Sequence, residues 1–544
     1  MRRLLLAVLP LALAVSGCNG NSGRGICGCD ANTEVCLSGR CFPINQQSSP
    51  PVPEPAATPA NCGPFQQQVG AAITSPAAPP ANGPCATTIQ ASGTPNNTIE
   101  LKELPVGTSA KFDVPAGASS FSIVMQAVNA VPQITLATST GTGTATLDNT
   151  AVPLILTAPD GTTWYDDMLP LAADGSTQLV FFASNSPGVG SLGVPNTTKS
   201  LQVIGTSGLP TGTWTFTVSD YAYECFSQPS LVSQCGASVA GAATFAKYNQ
   251  GVYHVAVNLN VAARPAQGTL NVGLYLHACP GANYDTSGAC TDARTLTAAG
   301  AQSDPDAQRF VQTLASLLAG GGLCLGQVTW YDLPDWAQTK WKAGLDLDAT
   351  TCDAQLGQLL STSQPTTGGQ MNLFLMPDIL AKPAPGSSTK TVIVGIDGTI
   401  PGPGTFSGTV QSGAAVSAAN LRAGSARCTG GLALSACGAD QTAYIAAHET
   451  GHYLGLYHTT ESAGADFDPL DDTFQCQCKA CLTGSLASQC GTAGAEVMAS
   501  SCIQSTPTCG GGKNLMFWLL DGGISQGSLS PQQSEVMRSA ALIH

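Results

Sequence analysis

His448-Glu449-Thr450-Gly451-His452-Tyr453-Leu454-Gly455-Leu456-Tyr457-His458 is the stretch on which the reading of this chain turns. On a helix His448 and His452 are four apart, so they stand on one face, one turn above the other, and both imidazoles reach one ion. Glu449 is one position round, and its longer side chain reaches a water on that ion. Zinc is the natural ion for neutral imidazoles in a hydrolase, and a catalytic zinc keeps an open position for water. Zinc lowers the pKa of that water to roughly 7, and Glu449 takes the proton and later hands it to the leaving amine. Gly455 lies three past His452, where a helix carrying a ligand has to stop, and glycine tolerates the left-handed conformation that turns the chain. His458 then returns toward the ion, and three histidines plus water complete a tetrahedron. The chain has only six histidines, three of them in this stretch. Composition alone gives the pattern with a probability on the order of 10⁻⁶. A histidine-bearing helix without metal leaves Gly455 and His458 unexplained.

The surroundings predict an α/β domain over residues 241–544. Asp440 is a plausible N-cap for the helix that carries the site. Residues 305–319 have helical spacing, with Phe310, Leu314 and Leu317 or Leu318 on one face and Gly320-Gly321-Gly322 ending the helix. Residues 251–261, 269–277, 327–331, 371–376 and 391–396 read as strands. Strands interleaved with two long helices argue α/β. Residues 62–240 instead alternate short apolar runs with Gly, Pro, Asn and Asp, with strand candidates at 121–125, 154–157, 179–182 and 213–218. In Ala158-Pro159-Asp160-Gly161, proline sets φ and glycine supplies φ > 0 for a turn. An N-terminal all-β sandwich is the fold class expected there.

Bulk numbers exclude some functions. The 544 residues allow two to four domains, and 43% hydrophobic residues allow a sizeable core. Charged residues make up 10%, well below the roughly 25% of an average globular protein. The net charge is −14, which offers no electrostatic footprint for nucleic acid. Lys/Arg clusters that hold a protein on an anionic bilayer are also missing.

Residues 1–17 read as an export signal, with Arg2 and Arg3 ahead of the apolar run 4–15. Val15-Ser16-Gly17-Cys18 resembles a bacterial lipobox. The resemblance implies cleavage before Cys18 and a lipid anchor on it, hence an exported chain held at the outer cell envelope. In an ordinary signal peptide Cys18 would be incidental and the protein secreted. Of 21 cysteines, 20 remain once Cys18 is set aside, and an exported chain with many cysteines reads as a disulfide framework. Neighbours suggest Cys62–Cys85, Cys225–Cys235, Cys279–Cys290, Cys324–Cys352 and Cys428–Cys437, although sequence does not fix connectivity. Residues 18–43 hold Cys27, Cys29, Cys36 and Cys41 in a small module, and 44–61 form a proline-rich linker.

HExxHxxGxxH followed by a methionine turn defines the metzincin clan of metallopeptidases, which this chain resembles. Asn514-Leu515-Met516-Phe517 matches the turn and nominates Met516; Met498 is the alternative. Within the clan, His448 to Thr459, "DPLDDT" at 468–473 and "NLMF" look most like the pappalysin family. The resemblance implies a zinc endopeptidase acting on protein or peptide substrates, with one catalytic Zn²⁺ on His448, His452 and His458. It makes Glu449 the general base and Met516 the hydrophobic floor. It also implies that a strand such as 391–396 pairs with extended substrate. Some clan members place a tyrosine just after the methionine turn; here Phe517 and Trp518 follow, and Tyr453 and Tyr457 only flank the site. Asp466, Asp468, Asp471 and Asp472 form either a structural Ca²⁺ site, as in related enzymes, or a solvated acidic loop. Cysteines 476, 478, 481, 490, 502 and 509 read as disulfides that rigidify the loop before the methionine turn. Glu461 and Glu496 are the downstream candidates for a thermolysin-like glutamate ligand. The stretches at 156–164 and 212–220 resemble the jelly-roll modules that accompany secreted bacterial proteases. A second reading is a surface adhesin or binding lipoprotein that retains a non-catalytic zinc site.

Overall fold

The computed structural model describes residues 62–74, 98–128, 151–166, 179–182, 188–220, 223, 251–281, 284–292, 294–347, 354–366, 368–381, 391–423, 438–483, 487–488, 490, 496–504, 508–521 and 524–544. It also gives the backbone of short strands at 34–37, 40–43, 90–91, 134–137 and 144–147. The expected signal, Cys18 and the linker 44–61 lie outside the described residues. In the small module, Glu34–Leu37 and Arg40–Pro43 form an antiparallel hairpin with Cys36 opposite Cys41. The chain is β-rich, with several sheets and a modest helical fraction.

Two four-stranded antiparallel sheets share one apolar core. The first runs Thr163–Tyr165, Ala151–Thr157, Gly212–Asp220, Ser109–Val114. The second runs Val189–Val194, Ser120–Ala127, Val252–Asn260, Thr98–Pro105. In Gly212–Asp220 the alternation Trp214, Phe216, Val218 points inward from one sheet, and Phe121, Ile123 and Met125 come from the other. Trp214 packs edge-on against Trp164 and Phe121 at 5.1 and 5.0 Å between centroids. The expected sandwich is therefore present. The turn at Ala158 closes as read: Gly161 has φ +86 and its N–H donates to the Ala158 carbonyl. The strand expected at 179–182 is absent, and Leu179 and Val180 instead donate backbone N–H groups to the Trp164 carbonyl.

The second body is a six-stranded sheet in the order Gly395–Asp397, Ala414–Ser417, Met371–Met376, Gly268–Leu276, Leu323–Asp332, Gln66–Val69. All neighbours are parallel except the edge strand Gly395–Asp397. Leu270, Val272, Leu274 and Leu276 face one side, with Met371, Leu373 and Leu375 beside them. Tyr275, Phe374 and Met376 fill the other. Such strands are buried on both faces, which is why they read as continuous apolar runs. Helices Pro305–Gly320 and Gly438–Tyr453 cover the first side. Asp304 caps the former by accepting from the N–H groups of Asp306 and Ala307, and Pro305 fits its first turn.

Three expectations are corrected. The boundary at 240/241 does not hold. Gln66–Val69 pairs with Leu323–Asp332 and belongs to the α/β sheet. Val252–Asn260 pairs with Thr98–Pro105 and Ser120–Ala127 and belongs to the sandwich. The sandwich is thus inserted between two strands of the α/β sheet, since strand pairing and not local texture decides membership. Second, Asp440 is no N-cap: the helix starts at Gly438, and Asp440 in its first turn accepts a two-pronged bond from Arg309 at 2.7 and 2.9 Å. Thr313 adds a third bond, so the buried carboxylate ties the two long helices together. Third, Cys62 pairs with Cys324, not Cys85, and Cys324 is therefore not joined to Cys352. Register brings the first strand of the sheet beside 323–332, a closeness invisible to sequence separation. Cys279–Cys290 forms as expected.

Candidate metal centre

Every residue of helix Gly438–Tyr453 is buried, so the site is built on an element held from all sides. His448 and His452 leave this helix one turn apart. The chain then breaks at Gly455, whose φ of +104 is a conformation glycine supplies readily, and whose N–H donates to the His452 carbonyl at 2.8 Å. His458 comes back to within 3.2 Å of His448 and 3.1 Å of His452, Nε2 to Nε2. Two nitrogens on one tetrahedral zinc stand ~3.3 Å apart for bonds of ~2.0–2.1 Å.

The tautomers follow from the outer partners. His448 Nδ1 lies 2.6 Å from the Leu515 carbonyl, and His452 Nδ1 lies 2.7 Å from the Leu456 carbonyl. A carbonyl only accepts, so both Nδ1 atoms carry the proton and both Nε2 atoms present lone pairs. His458 Nδ1 is 3.0 Å from Glu461 Oε1. Burial, and then the nearby His458, push His448 down to about 3. The same causes hold His452 well below the ordinary imidazole range. Burial also pulls His458 down, but the Glu461 carboxylate outweighs it and leaves this imidazole above its ordinary value. Three lone pairs converging on one point repel one another unless a cation lies between them, so the donor set fits a zinc ion. His458 is the least buried of the three, with its side chain 22% exposed.

Glu449 is buried and lies along the edge strand Gly395–Asp397. A Cβ on Gly395 would stand 2.1 Å from Glu449 Oε1, so only glycine leaves room for this carboxyl. Asp397, two residues on, shares a side-chain hydrogen bond with it. Burial first, and Glu449 second, push the Asp397 carboxyl well above its ordinary range. Burial pushes Glu449 up to about 7, against the lowering effect of the bond from Asp397.

Met516 is the methionine beneath the site. A Cβ on Gly451 would lie 2.4 Å from its sulfur, so the helix has no side chain where Met516 packs. The turn is fixed by Asn514 Oδ1, which accepts from Met516 N–H, and by the Met516 carbonyl, which accepts from Thr459 N–H. Met498 lies instead in the cysteine-rich loop, against the core formed by Cys476, Cys502 and Val497. Disulfides Cys476–Cys502, Cys478–Cys490 and Cys481–Cys509 staple that loop. Trp518 Nε1 donates to the Val497 carbonyl. The Tyr453 hydroxyl points to the Gly404 carbonyl, and the Tyr457 ring packs against Phe181.

The acidic residues after His458 are dispersed among other partners. Asp472 accepts from Ser530 Oγ and from Gln532 N–H at the start of helix Pro531–Ser539. Asp468 accepts from Thr473 through Oδ1, while Oδ2 is buried without a partner. Burial, followed by Asp472 and Asp471, pushes Asp468 up to about 8. Asp466 and Asp471 do not join them in a three-donor group among the described residues. Cys18 lies outside the described residues.

Sequence reasoning missed five contributors. Glu461, read only as a rival ligand, instead holds His458 from behind. The carbonyls of Leu456 and Leu515 orient ligands but carry no side-chain signal. Gly395 and Asp397 sit in no motif, and only the edge strand's approach to the helix reveals them. No family model matches the chain, and no curated protein does.

Proposed function

We propose that the protein is a zinc-dependent endopeptidase of the metzincin type, resembling the pappalysins, that hydrolyses peptide bonds in protein substrates. The convergence of three imidazoles, with His458 Nε2 at 3.2 Å from that of His448 and 3.1 Å from that of His452, beside a buried glutamate on the same helix, supports this reading best. His448, His452 and His458 would hold the ion, which supplies Lewis acidity at its open position, acidifying water and polarising a carbonyl. Glu449 takes the proton from the attacking water and delivers it to the departing amine. Asp397 holds the Glu449 carboxyl against the edge strand. Among the described residues that strand pairs with Ala414–Ser417 alone, and its other side is where an extended peptide would add.

Five disulfides among the described residues fit an oxidising compartment. No described helix is long and apolar enough to cross a membrane. Attachment through lipid on Cys18 is part of the proposal, and a Cys18→Ser protein that still partitions into membranes would count against it.

The deciding experiment compares the purified wild type with Glu449→Ala for bound zinc and for cleavage of denatured protein. One zinc per chain in both, with cleavage by the wild type alone, is the expected result. Stoichiometric zinc without cleavage under any condition would favour the adhesin with a non-catalytic site. Equal cleavage by both would remove Glu449 as the base.

A further inference from the structure

Two of the three ligands inherit their direction from a sixteen-residue helix. The third does not: residues 456–458 belong to no helix or strand. Something must hold His458 where the other two imidazoles can use it. Its Nδ1 is held by Glu461 and the chain after it by the Thr459 N–H on the Met516 carbonyl, but between Leu456 and Thr459 no backbone-to-backbone hydrogen bond is made among the described residues.

The sandwich reaches this segment. Phe181 meets Tyr457, the residue next to His458, edge-on with ring centroids 4.7 Å apart and planes at 86°. Phe181 is itself clamped. Its N–H donates to Asn196 Oδ1 at 3.0 Å, and its carbonyl accepts from Asn196 Nδ2 at 2.6 Å. Asn196 is buried, and its own N–H donates to Ser200 Oγ in the capping box of helix Thr198–Ser207.

This clamp is anchored to the α/β body on both flanks. Thr198 Oγ1 donates to Gln532 and accepts from the N–H of Asp471 at 2.7 Å. Further along the seam, the fully buried Asn258 donates to the Pro403 carbonyl at 2.9 Å and accepts from Thr405 at 2.8 Å. The topology also tethers the sandwich at both ends, because it is threaded between two strands of the α/β sheet.

We propose that the β-sandwich braces the third ligand of the metal site, with Phe181 as the positioning residue. It rests on the zinc reading above. Without the Phe181 ring, Tyr457 and the following His458 sample more orientations, and the ion loses part of its third bond while the helix ligands stay in place. The brace acts on affinity for metal, not on the chemistry of Glu449.

The test is a double-mutant cycle read by zinc affinity, measured by competition with a chromophoric chelator. Wild type is measured first. If it binds no zinc, the peptidase reading itself fails, and that outcome is separate from the brace. With zinc bound, Phe181→Ala is expected to weaken affinity about fivefold to tenfold, at or below the low end of the roughly 10–100-fold seen when a direct outer partner of a ligand is lost. In a His458→Ala background the same substitution should change affinity by less than about twofold, because the ligand it serves is gone. Phe181→Tyr should restore wild-type affinity. Unchanged affinity in Phe181→Ala, or an equal loss in both backgrounds, would overturn the brace. Thermal unfolding of the metal-free proteins reports whether each variant folds. If Phe181→Ala does not, Asn196→Ala, which frees the backbone of Phe181 but keeps its ring, carries the same cycle with the same two outcomes.

Discussion

Gly395 and Glu449 are in contact across the gap between edge strand and site helix, so close that a Cβ at 395 would stand 2.1 Å from the Glu449 carboxylate. Gly395→Ala must therefore push the Glu449 carboxylate, the proposed general base, off its position. A misplacement of about 1 Å costs roughly 10²-fold in rate. Peptide hydrolysis by Gly395→Ala should fall by about that factor while bound zinc stays stoichiometric. Retained activity would show that Glu449 works from elsewhere.

Asp397 gives the acid side of the pH profile. Glu449 must be unprotonated to act as base, and burial raises it to about 7. Activity is thus lost as pH falls through that region. Asp397 lowers Glu449 through its hydrogen bond. Asp397→Ala should move the acid limb of kcat/KM to higher pH, and Asp397→Asn, which keeps a donor, should leave it closer to wild type. Hydrolysis of one peptide from pH 5 to 9 checks both. Identical limbs in all three proteins would rule out a role for Asp397.

Met516 is fully buried beneath Gly451. Met516→Ala should cost about 2–5 kcal/mol of stability, and Met516→Leu less than about 1.5 kcal/mol. Denaturant unfolding measures both. A loss near zero for the alanine variant would mean that the floor of the site does not depend on this side chain.

Asp468 is held in its neutral form, raised from an ordinary 3.8 to about 8 mainly by burial. The folded chain thus binds this proton more tightly than the unfolded one. The contribution is fully present below about pH 4 and is lost as pH rises toward 8. Asp468→Asn should be more stable than wild type at pH 8.5, by a margin on the order of a few kcal/mol that vanishes toward pH 4. Thermal or denaturant unfolding across this range reads it. Millimolar calcium that stabilises wild type but not Asp468→Asn at pH 8 would instead reveal the cation site expected from the acidic run.

Much of the site was legible because it is local. His448, Glu449 and His452 are placed by helix geometry alone, Gly455 by its backbone freedom, and His458 by the three residues after that turn. The long helix at 305–320, the apolar strands and the methionine turn follow from periodicity and short motifs. Asp440 misled because a carboxylate near a helix start serves equally as a cap or as the partner of a distant arginine, here Arg309.

By itself the sequence determined which side chains can hold a metal, and which neighbour can move a proton. It did so because four-residue spacing on a helix is a fixed distance. Tertiary structure alone decided what surrounds them: Glu461 behind His458, the carbonyls of Leu515 and Leu456 on the helix ligands, and Asp397 beside Glu449. It also decided that Gln66–Val69 joins the α/β sheet, that Val252–Asn260 joins the sandwich, and that Phe181 touches the third-ligand segment. Those relations depend on strand register and on pairings between residues far apart in the chain, whose energies are set by packing and not by any local pattern.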